Sequence, residues 1–158
     1  MPEIERKFLV ERLPPGLEIE VEHEIAQGYL ALGDDEVRLR RKGDLHLITV
    51  KRGQGLVRDE VEVPLARESF DELWALTEGR RLEKTRRTTH LDGYLTEIDV
   101  YEGALSGLTT VEVEFEDVES ANAFTPPGWF SRELTGDEDY SNQRLALGGL
   151  PHGHAPEA

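Results

Sequence analysis

The stretch "EIERKFLV", residues 3 to 10, poses the question on which the fold depends. In a β-strand, successive side chains point to opposite faces of the sheet. One face then carries Glu3, Glu5, Lys7 and Leu9, and the other carries Ile4, Arg6, Phe8 and Val10. A half-buried strand normally turns its apolar residues inward and its charges toward water. The charged face therefore lies either on the solvated surface or along a polar cavity that holds a charged ligand.

Length and charge limit the possible functions. The chain has 158 residues, which is enough for one domain with a substantial core. It carries 18 basic and 33 acidic residues, a formal net charge of −15, and such a field repels polyanions unless basic groups are locally concentrated. We therefore expect no nucleic-acid partner and no membrane partner. The chain contains no cysteine, which excludes disulfides and thiolate metal sites.

The sequence also gives expectations for cellular location, domain extent and oligomeric state. No apolar run approaches the roughly 20 residues that span a bilayer, and "MPEIERKFLV" lacks a signal-peptide core, so we expect a cytoplasmic protein. We predict one domain over residues 1–148 and a disordered tail over residues 149–158, where His152 and His154 offer at most a weak metal site. A homodimer is compatible with the sequence.

Short runs in which apolar and polar residues alternate recur along the chain. Turn signals that contain glycine separate these runs. Together with the opening stretch they predict about eight short strands, mostly antiparallel because the connections are short. The further runs are "AQGYLAL" (26–32), "VRLRRK" (37–42), "LITVK" (47–51), "VRDEVEV" (57–63), "EKTRR" (83–87), "TEIDVY" (96–101) and "TVEVEFE" (110–116).

Three other stretches predict helices. "RESFDELWALTEG" (67–79) has apolar residues near helical spacing, Ser69 as a candidate N-cap and Gly79 as a stop. "YSNQRLALGG" (140–149) predicts a short helix capped by Ser141 or Asn142. "ESANAF" (119–124) predicts one or two helical turns before "TPPG" ends them.

The charged faces of the predicted strands collect two sets of residues. The basic set is Lys7, Arg38, Arg40, Lys51, Arg58, Lys84 and Arg86. The acidic set is Glu3, Glu5, Glu60, Glu62, Glu97, Asp99, Glu112, Glu114 and Glu116.

Two architectures accommodate these charged faces. In an open antiparallel sheet that packs on two helices, the charges meet water. In a closed barrel, helices and loops cover the apolar outside and the charges line the lumen. Basic and acidic dyads occupy different strands, whereas a solvated face tends to interleave the signs. This pattern favours a mostly β (α+β) fold, an eight-stranded antiparallel closed barrel with a charged lumen and a few helices outside.

A charged lumen predicts a particular chemistry. The pairs Glu3/Glu5 and Glu112/Glu114 become neighbours if the first and last strands close the barrel, and four buried carboxylates need a cation. Oxygen ligands without nearby His or Cys predict Mg²⁺ or Mn²⁺. The basic set suits a ligand with several phosphates in a line, because arginine and lysine side chains match phosphate oxygens. No P-loop sequence is present, so side chains must hold those phosphates.

The same residues carry a family resemblance. Glu-x-Glu-x-Lys at residues 3, 5 and 7 resembles the signature of the CYTH domain, or triphosphate tunnel metalloenzyme, family. The later blocks follow in the family's order and extend the resemblance to about residue 147: "VRLRRK", "TVK", "VRDEVEV", "LEKTRR", "EIDVYEG", "VEVEFE" and "RELTGDEDYSN". The resemblance implies an eight-stranded tunnel that hydrolyses or cyclises a triphosphate with Mg²⁺ or Mn²⁺, and it is greatest for the bacterial inorganic triphosphatase branch.

The resemblance also implies roles for individual residues. The metal or its water would be held by Glu3, Glu5, Glu112 and Glu114, and the phosphates by Lys7, Arg38, Arg40, Lys51, Arg58, Lys84, Arg86 and Arg132. Arg132 looks like the family's arginine near the tunnel mouth, and its alternative is a surface salt bridge. Candidate catalytic groups are Glu3 or Glu5, which would hold the attacking water, and Tyr29 paired with Lys84; the alternative for Tyr29 is packing on the barrel wall.

Several functions compete on this scaffold. The first hypothesis is hydrolysis of inorganic tripolyphosphate; the alternatives are a thiamine triphosphatase, a nucleoside triphosphatase, a tunnel-type adenylate cyclase and a non-catalytic polyphosphate-binding module. A thiamine triphosphatase needs an aromatic platform at the tunnel mouth, and Trp129 is a candidate whereas Trp74 has core spacing. A cyclase needs contacts for adenine, and we find no set of residues that would read a base. A binding module could lose one of the acidic pairs, and both are present.

Overall fold

The barrel closes. In a computed structural model, which describes residues 2–53 and 56–154, eight strands form one closed sheet in the order β1-β5-β4-β3-β2-β6-β7-β8. All neighbouring strands pair antiparallel. The strands are β1 (Pro2–Leu9), β2 (Val21–Ala31), β3 (Asp35–Lys42), β4 (Leu45–Arg52), β5 (Val57–Pro64), β6 (Arg81–Leu91), β7 (Tyr94–Tyr101) and β8 (Thr109–Phe115). The predicted closed barrel is confirmed, and the open sheet is wrong.

The first and last strands close the barrel. Along the pairing of β1 with β8, Glu5 lies opposite Glu114 and Lys7 lies opposite Glu112. On its other side β1 pairs with β5 over a short stretch, where Glu3 lies opposite Arg58. The two Glu-x-Glu pairs are therefore neighbours, as the sequence predicted, although about a hundred residues separate them along the chain.

Alternation along the strands sorts the apolar residues to the outside. On β1, Phe8 is buried in an outer cluster, against which Ile4 packs. The short helix α2 (Val118–Ala123) and the residues after it contribute Ala121, Phe124 and Phe130 to this cluster. A barrel whose bore is charged has to place its hydrophobic core between the wall and the outer elements.

The outer cover is one-sided, which corrects the expectation that helices and loops cover the whole apolar outside. On β4 and β5, Val50, Val57, Val61 and Val63 remain 40–61% exposed. Helix α1 (Arg67–Trp74) packs on β3 and on one end of β4, where its buried Phe70 contacts His46 edge-on. In the described part of the chain, the main outer cluster thus lies over β1, β7 and β8, while these valines of β4 and β5 stay uncovered.

A second apolar cluster closes one end of the bore. On the inward face of β6, Leu82 precedes Lys84 and Arg86, and on the inward face of β7, Tyr101 follows Glu97 and Asp99. Both join a buried cluster with Leu134, Tyr140 and, on helix α3 (Asn142–Gly148), Leu145. The C-terminal segment therefore covers this end of the barrel.

The helix boundaries follow the sequence with two corrections, both at α1. Helix α3 has Ser141 as its N-cap, whose side chain accepts a hydrogen bond from the backbone N–H of Arg144. The predicted cap Ser69 is wrong, because Ala66 is extended and its carbonyl already accepts the backbone N–H of Phe70 at 2.9 Å. Helix α1 ends at Trp74 and continues as a 3-10 turn, Ala75–Thr77, rather than as α-helix to Gly79.

Part of the predicted tail is described. The ring Nδ1 of His154 lies 2.9 Å from the hydroxyl of Tyr140, so residues 149–154 run back over the barrel end. Residues 155–158 of the same prediction lie outside the described residues. None of the described helices combines the length and the hydropathy that crossing a lipid bilayer requires.

Candidate active site

The strand order separates the charges of the bore into two halves. The acidic strands β7, β8, β1 and β5 are consecutive around the barrel, and the basic strands β4, β3 and β6 lie on the other side with β2 among them. Neither grouping follows from sequence order alone, because β1 and β8 meet only on closure. A ligand in the bore therefore has carboxylates on one side and ammonium and guanidinium groups on the other.

Three carboxylates of the acidic half converge. Oxygens of Glu3, Glu5 and Glu114 lie within 4.8 Å of one another. Glu3 is 3.6 Å from the Lys51 ammonium, and Glu5 is in direct contact with the Arg58 guanidinium. The sequence had predicted Glu112 as a fourth member, but Glu112 does not belong to this group among the described residues.

Glu114 is the member whose charge is least compensated. Among the described residues, no Lys or Arg nitrogen lies within 4.0 Å of its carboxylate. Burial and the neighbouring carboxylates Glu97, Glu3 and Glu112 raise the pKa of Glu114 to about 7. Three hard oxygen donors converge here, and one of them, Glu114, has no such cation beside it; such a group suits Mg²⁺ or Mn²⁺, so the residues present fit the predicted metal.

Glu112 has a different environment. Burial would raise the pKa of its carboxyl, but Lys7, Arg86, Lys51 and Lys84 outweigh burial and hold that pKa well below its usual range. Its register partner across the closing strands is Lys7 rather than another acid. Glu112 therefore lines the same cavity as the three-carboxylate group without belonging to it, and nearby cations favour its ionised form.

The basic half presents guanidinium and ammonium groups along β3 and β4. Arg38 is buried and reaches Glu36 at 3.2 Å and Glu60 at 3.3 Å. Lys51 lies 3.5 Å from the same Glu60. Arg40 has the weakest carboxylate contact, 3.9 Å to Glu62, and its Nε donates to the side-chain oxygen of Gln27 at 3.1 Å.

Arg40 is also crowded by like charges. Burial, together with the neighbouring Arg38 and Arg86, lowers the pKa of the Arg40 guanidinium to about 10. It nevertheless stays protonated at neutral pH. Buried cations held close together against their mutual repulsion provide an attractive site for a polyanion.

Lys84 and Arg86 occupy successive inward positions of β6. Both are buried, and both bind Asp99 on β7. The predicted pairing of Tyr29 with Lys84 is not present; Tyr29 is fully buried, its hydroxyl accepts a hydrogen bond from Gln27 Nε2 at 2.7 Å, and burial raises its pKa. The structure thus favours the wall-packing alternative for Tyr29, and its catalytic role stays a prediction.

Two predicted phosphate ligands lie in the acidic half. Arg58 on β5 contacts Glu5 directly and lies 3.7 Å from Glu3, so it is engaged with the three-carboxylate group. The ammonium of Lys7 donates to the backbone carbonyl of Tyr140 at 2.7 Å. Burial lowers the pKa of Lys7, and nearby Glu112 partly offsets that effect.

Three residues of the sequence analysis lie outside the bore. Arg132 is exposed, lies 3.3 Å from Asp137 and stacks on Tyr140, which is the surface-salt-bridge alternative. Glu116 follows the end of β8 and is exposed, so its predicted place on the charged face is wrong. Trp129 packs edge-on against Phe130 in the outer cluster, so the predicted aromatic platform is not present at the bore.

Sequence reasoning missed several residues of the bore. Gln27, Glu36 and Lys42 share the inward face with Tyr29, Arg38 and Arg40, so alternation could have revealed them. Asn142, by contrast, comes from helix α3 and carries no such signal. It lines both cavities of the bore, one of about 160 Å³ and one of about 90 Å³, which also share Glu5, Arg38, Lys51 and Glu112 in their lining.

Comparison with known proteins agrees with this arrangement. The family model described as CYTH domain matches residues 1–125. An inorganic triphosphatase of Nitrosomonas europaea is 48% identical over 150 residues, which cover 93% of this chain and 98% of that protein. An inorganic triphosphatase of Acetivibrio thermocellus is 33% identical over 152 residues, which cover 90% of this chain and 92% of the relative.

A solved structure matches the fold over nearly the same length. The crystal structure of the inorganic triphosphatase NE1496 superposes with a TM-score of 0.71 at 45% sequence identity, and covers 94% of this chain and 97% of that chain. On its sequence and on its fold alike, this chain belongs to the CYTH domain family.

Proposed function

We propose that the protein is a divalent-metal-dependent triphosphatase that hydrolyses inorganic tripolyphosphate to pyrophosphate and phosphate. The observation that carries the proposal is the opposition, inside one closed bore, of three converging carboxylates and a wall of buried cations. Such a bore suits a short linear polyanion that arrives with a divalent cation. The names of the relatives from Nitrosomonas europaea and Acetivibrio thermocellus support the same substrate.

The metal would be held by Glu3, Glu5 and Glu114, whose oxygens already lie together. When bound, Mg²⁺ or Mn²⁺ would neutralise phosphate charge and lower the barrier to attack at phosphorus. Arg38, Arg40 and Lys51 on the opposite wall would bind the phosphate oxygens and hold the chain of phosphates along the bore. These groups are in place before the substrate arrives, so little reorganisation accompanies the reaction.

Hydrolysis itself needs a positioned water and a proton acceptor. The oxygen of that water forms a bond to the terminal phosphorus, the bond between that phosphorus and the bridging oxygen breaks, and pyrophosphate leaves in line. Glu3 or Glu5 would accept the proton of the water. Glu5 is held by Arg58, whereas Glu3 lies at longer distances from its cations, so Glu3 is the freer of the two acceptors.

The other candidate substrates lack a matching feature in the described residues. Trp129 lies in the outer cluster, so it does not offer the platform that a thiamine head group would need. The lining of the two cavities of the bore is dominated by charged and polar side chains, which suit phosphate better than a nucleobase. The cytoplasmic location and the homodimer stay predictions from the sequence.

The test compares three substrates under identical conditions. Phosphate release is measured from tripolyphosphate, ATP and thiamine triphosphate, each with Mg²⁺, with Mn²⁺ and with excess chelator. We expect tripolyphosphate to be turned over with the highest kcat/KM, and chelation to silence the enzyme until metal is restored. Binding of tripolyphosphate without phosphate release would show a binding module instead, and activity in excess chelator would remove the metal from the proposal.

A further inference from the structure

Asp99 is a buried carboxylate on the wall of a bore that otherwise suits an anion. Its side chain has no exposure to solvent, and its two oxygens accept three hydrogen bonds. The ammonium of Lys84 donates to Oδ2 at 2.7 Å, while Nε and Nη2 of Arg86 donate to Oδ1 and Oδ2 at 2.8 and 3.0 Å. One carboxylate thus holds two cations of the proposed phosphate-binding wall.

Asp99 does not belong to the three-carboxylate group. Its neighbour across β7 and β8 is Thr110, whereas Glu97, two residues earlier, lies opposite Glu112. Among the described residues, the acids that converge within 4.8 Å are Glu3, Glu5 and Glu114. A role as metal ligand therefore has no geometric support for Asp99, and its contacts point to the cations on β6.

The registry of β6 and β7 explains how one carboxylate reaches both cations. Arg86 lies directly opposite Asp99, and Lys84, two residues earlier on the same face, is its diagonal neighbour. Lys84 and Arg86 would repel each other without an anion between them. Because Asp99 takes the Nε and Nη2 edge of Arg86, the remaining Nη1 is left to donate to Glu97 at 3.0 Å, nearer the three carboxylates.

A buried carboxylate in this place would weaken the binding of a polyanion if charge were all that mattered. The presence of this carboxylate makes sense if the orientation of the cations matters more than the net charge of the bore. Catalysis of phosphoryl transfer depends on the placement of charge around the phosphorus. Lysine and arginine have long flexible side chains, and a shared carboxylate removes much of that freedom before the substrate arrives.

We propose that Asp99 is a positioning residue, which orients Lys84 and Arg86 for the triphosphate and favours the ammonium form of Lys84. The inference rests on the proposed function and deepens it, because it assigns a task to a residue that would not itself touch the substrate. It also explains why the bore contains an anion where the phosphates would bind.

The charges that face Lys84 support the second half of the proposal. Burial lowers the pKa of Lys84 to about 7, and Arg86 and Arg40 act in the same direction, whereas Asp99 and Glu112 raise it. Replacing the Asp99 carboxylate with a neutral group therefore lowers the pKa of Lys84 further. Lys84 then loses its proton at a lower pH than in the intact protein. The decline of kcat/KM on the alkaline side of the pH profile therefore begins at a lower pH.

The experiment compares Asp99→Asn with the intact protein and with Glu133→Gln. The control removes a carboxylate that binds an arginine through two N–H groups outside the barrel. Steady-state phosphate release from tripolyphosphate with Mg²⁺ is followed from pH 5 to pH 10, per folded molecule. We expect kcat of Asp99→Asn to fall about 10- to 100-fold while KM stays equal or falls, because misplaced cations still attract the substrate.

The outcomes separate the possible roles of Asp99. If Asp99 only repels the substrate, Asp99→Asn should have a higher kcat/KM. If Asp99 is purely structural, the variant should have a lower melting temperature with an unchanged kcat and pH profile. Either result overturns the proposal. If Asp99→Asn does not fold, Asp99→Glu keeps the charge but displaces it by one methylene. Positioning predicts a lower kcat with the wild-type pH profile for this variant, and a wild-type kcat would refute it.

Failure of the proposed function gives a different result. If the intact protein releases no phosphate from tripolyphosphate with Mg²⁺ or Mn²⁺, the triphosphatase proposal fails and the positioning role fails with it. If the intact protein is active and Asp99→Asn matches it across the pH range, only the positioning role fails.

Discussion

Arg6 and Arg86 each bind a carboxylate through two N–H groups, but they lie on opposite sides of the barrel wall. Outside, Arg6 donates to Glu133 at 2.9 and 2.8 Å, and its remaining Nη1 donates to the carbonyls of Ala121 and Phe124. Inside, Arg86 shares Asp99 with Lys84 and donates through Nη1 to Glu97 at 3.0 Å. Among the described residues, the outer guanidinium has Glu133 as its only carboxylate partner, whereas the carboxylate that takes two N–H groups of Arg86 also binds the Lys84 ammonium.

The difference distinguishes a structural ion pair from a binding site made of the same groups. The bonds of Arg6 fasten β1 to the end of helix α2 and to the C-terminal segment, and leave no donor edge free for a ligand. The bore instead gathers three converging carboxylates on one half and most of its cations on the other. A ligand that is both anionic and metal-bound matches both halves.

The largest effect should come from removing a carboxylate from the bore rather than from the outer wall. Glu5→Gln should lower metal-dependent phosphate release about 10³-fold, because it removes an oxygen donor and a proton acceptor from the three-carboxylate group. The matched change Glu133→Gln should leave kcat within about twofold. Phosphate release of both variants, normalised to folded protein, measures the contrast; equal losses would erase the distinction between the two walls.

A cation of the bore should affect activity more than stability. Arg40→Met should lower kcat/KM about 10- to 100-fold, since one phosphate contact is lost. Its free energy of unfolding should stay unchanged or rise by up to about 1 kcal/mol, because Arg40 is buried near Arg38 and Arg86 and has only a distant carboxylate. Urea unfolding without ligand measures the second quantity. A clear loss of stability would mean that Arg40 is held as a structural group.

The outer arginine should behave in the opposite way, with the smallest effect on activity. Arg6→Met should reduce the free energy of unfolding by about 1–3 kcal/mol, because it leaves Glu133 and two carbonyls without their donor. The kcat/KM of the folded variant should stay within about twofold of the intact protein. Thermal unfolding and phosphate release on one preparation test both statements, and a large drop in kcat/KM would place Arg6 in functional contact with the bore.

The opening stretch shows how much the sequence could predict. Its alternation placed Glu3, Glu5 and Lys7 on one face and Ile4, Phe8 and Val10 on the other, and the structure places these two sets inside and outside the barrel wall. Arg6 shares the outer face in the sequence, but alternation gave no indication of its partners. Glu133 lies 127 residues away, so no local pattern could have revealed that pair.

The composition of the metal group illustrates the same limit. The sequence offered two Glu-x-Glu pairs as equivalent, whereas the structure joins Glu114 to Glu3 and Glu5 and places Glu112 among cations. Both residues of the second pair are on the inward face of β8, so alternation cannot distinguish them. Their depth along the bore distinguishes them, and depth depends on the register between β1 and β8.

The amino-acid sequence by itself determined which side chains share a face of each strand, and with it the charged character of the bore, because strand periodicity is a local property of the backbone. It also determined the oxygen-only chemistry of the acids, since the chain has no cysteine and no histidine beside them. Only the tertiary structure decided which charges meet: strand order places the acidic strands together, and register makes Asp99 the shared partner of Lys84 and Arg86. Pairing across a closed barrel joins residues that are distant in the chain, and local sequence carries no record of that choice.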